Sequence, residues 1–171
     1  MLFRAISTLI FPSEGDVLID DKSIIYDDYD LSNIGILLED PGFYSHLNAS
    51  ENLSILYQIN HKSNPAHIES IIQKVGLEQY RKKKYKEYSL GMKQKLRIAQ
   101  AIMENQQLII LDEPTNGLDA AAIDNVRNII LSLKAEGKLV LLASHNKDDL
   151  KLLCDTIYNI ENGKIVGEIS V

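Results

Sequence analysis

The stretch Leu108-Ile109-Ile110-Leu111-Asp112-Glu113-Pro114-Thr115-Asn116-Gly117-Leu118-Asp119 decides the fold. Four large apolar residues in a row, stopped at once by two acids and a proline, read as a short strand buried on both faces. Two other runs share that form. Ile34-Gly35-Ile36-Leu37-Leu38 ends in Glu39-Asp40-Pro41-Gly42, and Leu139-Val140-Leu141-Leu142-Ala143 ends in Ser144-His145. Continuous apolar strands belong to parallel sheets covered by helices on both sides. Each of the three delivers ionisable groups at its carboxyl end, the edge at which open α/β sheets bind ligands.

Helical stretches separate these strands. Leu2, Ala5, Ile6 and Leu9 fall at helical spacing, without a capping residue ahead of them. Asn48 precedes Glu51 by three, a capping box for a helix carrying Leu53, Leu56 and Tyr57 on one face. Asn64 and Pro65 open a second helix with Ile68, Ile71, Ile72 and Val75 as its stripe and Gly76 past its end. Ser89 starts a third, with Met92, Leu96, Ala99 and Met103 along one side. Ile123, Val126, Ile130 and Leu133 mark a fourth, closed by Gly137, and residues 148–152 a short fifth. Val17, Leu18 and Ile19 form a small strand. Asn162-Gly163 joins residues 156–160 to 164–169 as a hairpin.

Composition narrows the function. The chain has 171 residues, 45% hydrophobic and 25% charged, which is ordinary for a globular domain. Eighteen basic against 24 acidic residues leave a net charge of −6, which argues against a nucleic-acid partner needing a basic face. No apolar run approaches the ~20 residues of a membrane-spanning helix, and the first residues do not read as a signal peptide. The single Cys154 excludes an internal disulfide and fits a reducing cytoplasm. Arg81-Lys82-Lys83-Lys84 reads as a solvated helix end rather than a phosphate or membrane site.

The chemistry sits at the strand tips. Asp112 offers an oxygen ligand to Mg²⁺, a hard cation, held through water. Glu113 beside it suits a general base that polarises an attacking water, and His145 a donor to a phosphate oxygen. That set is what phosphoryl transfer requires. The segment Tyr88-Ser89-Leu90-Gly91-Met92 opens a helix whose free amides make an anion site. A lone polar strand end, strand-tip histidine or helix cap is commonly structural; the ordered combination is specific.

With these residues on the page, the chain resembles the ATP-binding cassette (ABC) ATPases. Residues 108–119 look like the Walker B motif and D-loop, Ser89-Leu90-Gly91-Met92-Lys93-Gln94 like the signature motif, and Ser144-His145 like the switch histidine. Residues 34–39 look like the strand and Q-loop. The resemblance spans the chain and implies a P-loop NTPase-like (RecA-type) α/β fold, a mainly parallel sheet flanked by helices, with a helical subdomain. It implies residues 1–171 as one incomplete ABC ATPase domain. Within it, residues 48–104 form the helical subdomain and signature helix, and 105–171 run from Walker B to the C-terminal hairpin.

The same resemblance implies ATP and Mg²⁺ as cofactors. A homo- or heterodimer with another cassette would sandwich two ATP molecules, Ser89, Leu90, Gly91 and Met92 facing nucleotide on the partner and Asp119 coupling the sites. Glu39 would contribute to nucleotide and metal, with Asp112 on Mg²⁺, Glu113 on water and His145 on the γ-phosphate. Residues 48–86 would meet an integral membrane permease, placing the subunit on the inner face of the cell membrane. Glu39 in place of glutamine, and Ser-Leu-Gly-Met in place of Ser-Gly-Gly-Gln, are similar to the bacterial bacitracin and lantibiotic exporters. The 50 residues between Glu39 and Ser89 leave no room for the coiled coil of chromosome ATPases.

One family motif is missing. None of the nine glycines begins or ends a G-x-x-x-x-G-K-[ST] phosphate loop. Gly137 and Gly163 precede lysines, but Leu139 and Ile165 follow. The sequence is therefore expected to begin just after Walker A, with its first strands missing, and alone to bind ATP poorly and hydrolyse none. The alternative is a non-catalytic remnant or dimer partner that supplies only the signature side of a composite site.

Overall fold

The computed structural model describes residues 2–27, 29–38 and 41–171. Helix α1 (Leu2–Ile6) leads to the short strands β1 (Leu18–Ile19) and β2 (Lys22–Ser23), which pair antiparallel. Strand β3 (Ile34–Leu37) follows, then α2 (Ala49–Tyr57), α3 (Pro65–Lys74) and α4 (Leu90–Ile102). The chain continues through β4 (Leu108–Asp112), α5 (Ala120–Ala135), β5 (Leu139–Ala143), α6 (Lys147–Leu153), β6 (Thr156–Glu161) and β7 (Lys164–Ser170).

Strands β3, β4 and β5 form a parallel sheet with β4 in the centre. The apolar run of β4 divides by alternation, because successive side chains point to opposite faces. Ile109 and Leu111 join the larger core with Leu53, Ile68, Leu96 and Ile130. Leu108 and Ile110 join a smaller one with Ile34, against which Phe3 and Ile6 of α1 pack. Both faces are thus covered, which accounts for a strand without polar interruption. Gly35 lets α4 lie directly on β3: a Cβ there would collide with the Ala101 carbonyl oxygen.

The helix starts follow the capping residues. Asn48 accepts from the Glu51 amide at 3.0 Å, while the Glu51 carboxylate accepts from the Asn48 amide at 2.8 Å. Asn64 accepts from the His67 amide, with Pro65 in the first turn. Ser89 caps α4 and Asp119 caps α5.

Two local expectations are corrected. Helix α1 stops at Ile6 rather than Leu9, where Thr8 enters the left-handed region at φ 58°. Strand β5 is only half-buried, and Leu139 is 60% exposed. Its edge away from β4 carries no further strand among the described residues, so apolar composition alone overstated its burial. The β6–β7 hairpin forms its own two-stranded sheet, largely exposed. No helix of the described residues is long and apolar enough to cross a membrane.

Candidate active site

The parallel register of β4 and β5 sets Asp112 opposite Ala143, so the two strands end level. Pairing runs one residue further, since the Glu113 amide donates to the Ala143 carbonyl at 2.9 Å. Glu113 adopts φ 48° there, a conformation costing a non-glycine residue about 1–3 kcal/mol and concentrated at functional sites. This kink sends the chain into the turn 113–116, closed by the Asn116 amide on the Glu113 carbonyl at 3.2 Å.

The kink brings Glu113 to the tip of β5. Its Oε1 accepts from the backbone amide of His145 at 3.0 Å and lies 3.5 Å from His145 Nε2. The Glu113 side chain is 28% exposed and that of His145 99%. Asp112 is exposed beside them. Two of the sequence candidates therefore touch and a third adjoins them along the chain. An acceptor carboxylate, an imidazole free to turn and a second carboxylate share one strand-end surface. Glu39 lies outside the described residues.

The helix starts form a second grouping. Ser89 Oγ accepts from the Met92 amide at 3.3 Å, and Asp119 Oδ1 from the Ala122 amide at 2.8 Å. A Cβ on Gly91 would come within 2.8 Å of Ala122 Cβ, and one on Gly117 within 3.4 Å of Leu90 Cδ2. The starts of α4 and α5 are therefore packed together, which the sequence did not announce. Leu90 remains 53% exposed. Among the described residues no hydrogen bond or ion pair links 89–92 to Glu113 or His145.

No group of three or more His, Cys, Asp or Glu side chains converges as a metal cage among the described residues. Mg²⁺ keeps several waters and is held by one or two carboxylates plus substrate phosphates; exposed Asp112 fits that donor set. A cleft of about 830 Å³ lies elsewhere, lined by residues including Tyr29, Ile36, Leu56, Gln100 and Glu104. It contains none of the strand-tip residues.

Sequence reading missed a buried cluster behind the tips. Thr115 Oγ1 donates to Asp149 Oδ2 at 2.5 Å, and Arg127 donates to Asp149 Oδ1 through Nε at 2.7 Å and Nη2 at 2.5 Å. Asp149 raises the affinity of the Arg127 guanidinium for its proton, chiefly through this hydrogen bond. Asp148-Asp149 reads in sequence as an acidic first turn, and nothing there tells which carboxylate turns inward.

A family model for the ABC transporter matches residues 1–116. The chain belongs to the ABC transporter family. The ABC transporter ATP-binding protein YybJ of Bacillus subtilis is 36% identical over 165 residues, covering 96% of this chain and 76% of YybJ. The bacitracin transport ATP-binding protein BcrA of Enterococcus faecalis is 37% identical over 167 residues, covering 95% and 54%. The chain thus spans about half to three quarters of the length of these relatives. Among solved structures, cbiO1 of Clostridium perfringens, part of the ABC transporter complex cbiONQ, superposes with a TM-score of 0.83 at 26% identity. That match covers 98% of this chain and 70% of cbiO1. The ABC cassette fold and the likeness to bacitracin transport proteins agree with the sequence reading.

Proposed function

We propose that this ABC cassette chain couples ATP binding and hydrolysis to transport through a separate membrane permease. The carrying observation is the Glu113–His145 pair at the tips of adjacent strands, beside Asp112. Glu113 accepts the proton of the water attacking the γ-phosphoryl group. His145, whose ring is solvent-exposed, turns from the Glu113 carboxylate to donate to a γ-phosphate oxygen. Asp112, with Glu39, would hold Mg²⁺, which would offset phosphate charge there.

Ser89, Leu90, Gly91 and Met92 serve the nucleotide of a second cassette, homo- or heterodimeric. Asp119, which caps the helix packed against Gly91, links the two sites. Residues 48–104 act as a helical subdomain facing the permease, and 105–171 as the hydrolytic half. This places the subunit in the cytoplasm against the inner face of the membrane. The resemblance of the whole chain to ABC transporter ATP-binding proteins supports these assignments.

Residues 1–171 carry no G-x-x-x-x-G-K-[ST] loop, so the amides and lysine that cradle phosphates must come from outside this stretch. We infer that the 171-residue chain alone turns over no ATP. A second reading, in which it lends only Ser89 and Gly91 to an intact cassette, is favoured by a capped signature helix standing without that cradle. ATP turnover by the purified chain, alone and mixed with an intact cassette, separates the two. Turnover by the chain alone that Glu113→Gln abolishes contradicts the inactivity. Stimulation of the intact cassette that survives Glu113→Gln but not a Ser89 substitution favours the second reading.

A further inference from the structure

We propose that buried Asp149 is a positioning residue that fixes the Glu113 turn against the His145 turn, through its hydrogen bond from Thr115. The proposal rests on the hydrolytic reading of Glu113 and His145.

The geometry joins the two turns at two points. In front, the His145 amide donates to Glu113 Oε1 at 3.0 Å. Behind, Thr115, two residues after Glu113, donates its hydroxyl to Asp149, four residues after His145, at 2.5 Å. Between His145 and Asp149 the chain is stiff. Asn146 caps α6, its Oδ1 accepting from the Asp148 amide at 2.9 Å and the Asp149 amide at 3.4 Å. A fixed Asp149 therefore fixes the start of α6, and with it the residue that precedes the cap. The Glu113-to-Thr115 segment lies within the turn closed by the Asn116 amide on the Glu113 carbonyl. Two short rigid segments tied at both ends cannot slide past one another.

Asp149 is built for this role. It is 1% exposed, and an unpaired buried carboxylate would take up a proton or open the site to water. Two Arg127 nitrogens donate to Oδ1, leaving Oδ2 to accept from Thr115. Arg127 belongs to α5, so the tie is also referred to the helix that Asp119 caps. A packing role alone would be met by a leucine, and a helix-start role by an exposed acid such as its neighbour Asp148.

The test is amide hydrogen exchange on the 171-residue chain, together with ATP turnover by the permease-assembled subunit carrying a phosphate-cradling loop ahead of these residues. Asp149→Asn keeps the volume and loses the charge; Thr115→Val removes the tie and leaves the Asp149–Arg127 pair whole, so it serves if the first variant does not fold. In either variant, exchange at the His145 amide is expected to rise about tenfold or more, as for loss of a hydrogen bond to a charged group. Exchange at Ile109, Ile110 and Leu111 stays unchanged, and Thr115→Ser restores His145 protection. In the assembly, kcat falls about tenfold with KM for ATP within about twofold, the mark of a contact made in the transition state. An unchanged His145 amide, or exchange that rises equally throughout β4, overturns the positioning role. Local loss of protection with unchanged turnover overturns the hydrolytic reading beneath it.

Discussion

Glu113 Oε1 accepts a hydrogen bond from the backbone amide of His145 at 3.0 Å, across the ends of two adjacent parallel strands. The contact exists because three local features agree. The β4 and β5 ladder ends in register. The Glu113 amide prolongs it by one bond, and the positive φ of Glu113 swings its side chain toward the neighbouring tip. Replacing Glu113 with glycine should relieve backbone strain while removing the carboxylate. Urea unfolding is expected to show a change within about 1 kcal/mol of zero, against total loss of turnover in the assembled subunit.

The close approach of α4 to β3 depends on Gly35. A Gly35→Ala substitution sets a methyl group against the Ala101 carbonyl. Backbone cannot yield as a flexible side chain can, so the expected destabilisation is about 1–3 kcal/mol. Equilibrium urea unfolding of the two proteins measures it; an unchanged midpoint would mean that α4 does not seat on the sheet as described.

Asn52 is buried and holds the loop that enters α2. Its Oδ1 accepts from the Tyr44 amide at 2.7 Å, and its Nδ2 donates to the carbonyls of Tyr44, Leu47 and Asn48 at 3.2, 3.3 and 3.0 Å. Asn52→Leu fills the space and leaves the buried-side Tyr44 amide without this acceptor, while the carbonyls of Tyr44, Leu47 and Asn48 keep their backbone donors. With about 1–3 kcal/mol at stake for an unsatisfied buried group, the loss should exceed that of Asn48→Ala at the exposed cap, about 0.5–2 kcal/mol. Thermal unfolding of both variants checks the order.

The end of α3 is tied to the end of α5 by Lys74 Nζ on Glu136 Oε2 at 2.6 Å. That hydrogen bond, the largest cause, holds the Glu136 carboxyl below its usual range. A lowered folded-state value means that the unfolded chain binds the proton more readily. The contribution is therefore complete above the ordinary glutamate range and is lost as pH falls through it. The pair is partly exposed, so screening keeps its share within about 1 kcal/mol. Lys74→Met should flatten the stability profile on the acid side by that amount and leave the difference constant above neutrality.

The sequence exposed the parts of this molecule that depend on local rules. The β4 run, the Asn48 and Asn64 caps and the Asn162-Gly163 hairpin all appear where pattern and turn chemistry put them. It also singled out Glu113 and His145, since each follows an apolar strand. The positive φ of Glu113 and the inward turn of Asp149 were not legible, because both go with contacts to residues 22 to 34 positions away. The half-exposed β5 was misread for a similar reason: an apolar run does not reveal how many neighbours its strand has.

Single-turnover ATP hydrolysis by the permease-bound subunit carrying a phosphate-cradling loop ahead of these residues, wild type against Glu113→Gln, tests the assignment of the strand tips most directly. The amide retains the side chain's size and removes the proton acceptor. Hydrolysis should fall by about 10²–10⁴-fold, the usual worth of a general base, with ATP still bound. Hydrolysis by Glu113→Gln at the wild-type rate would contradict the account.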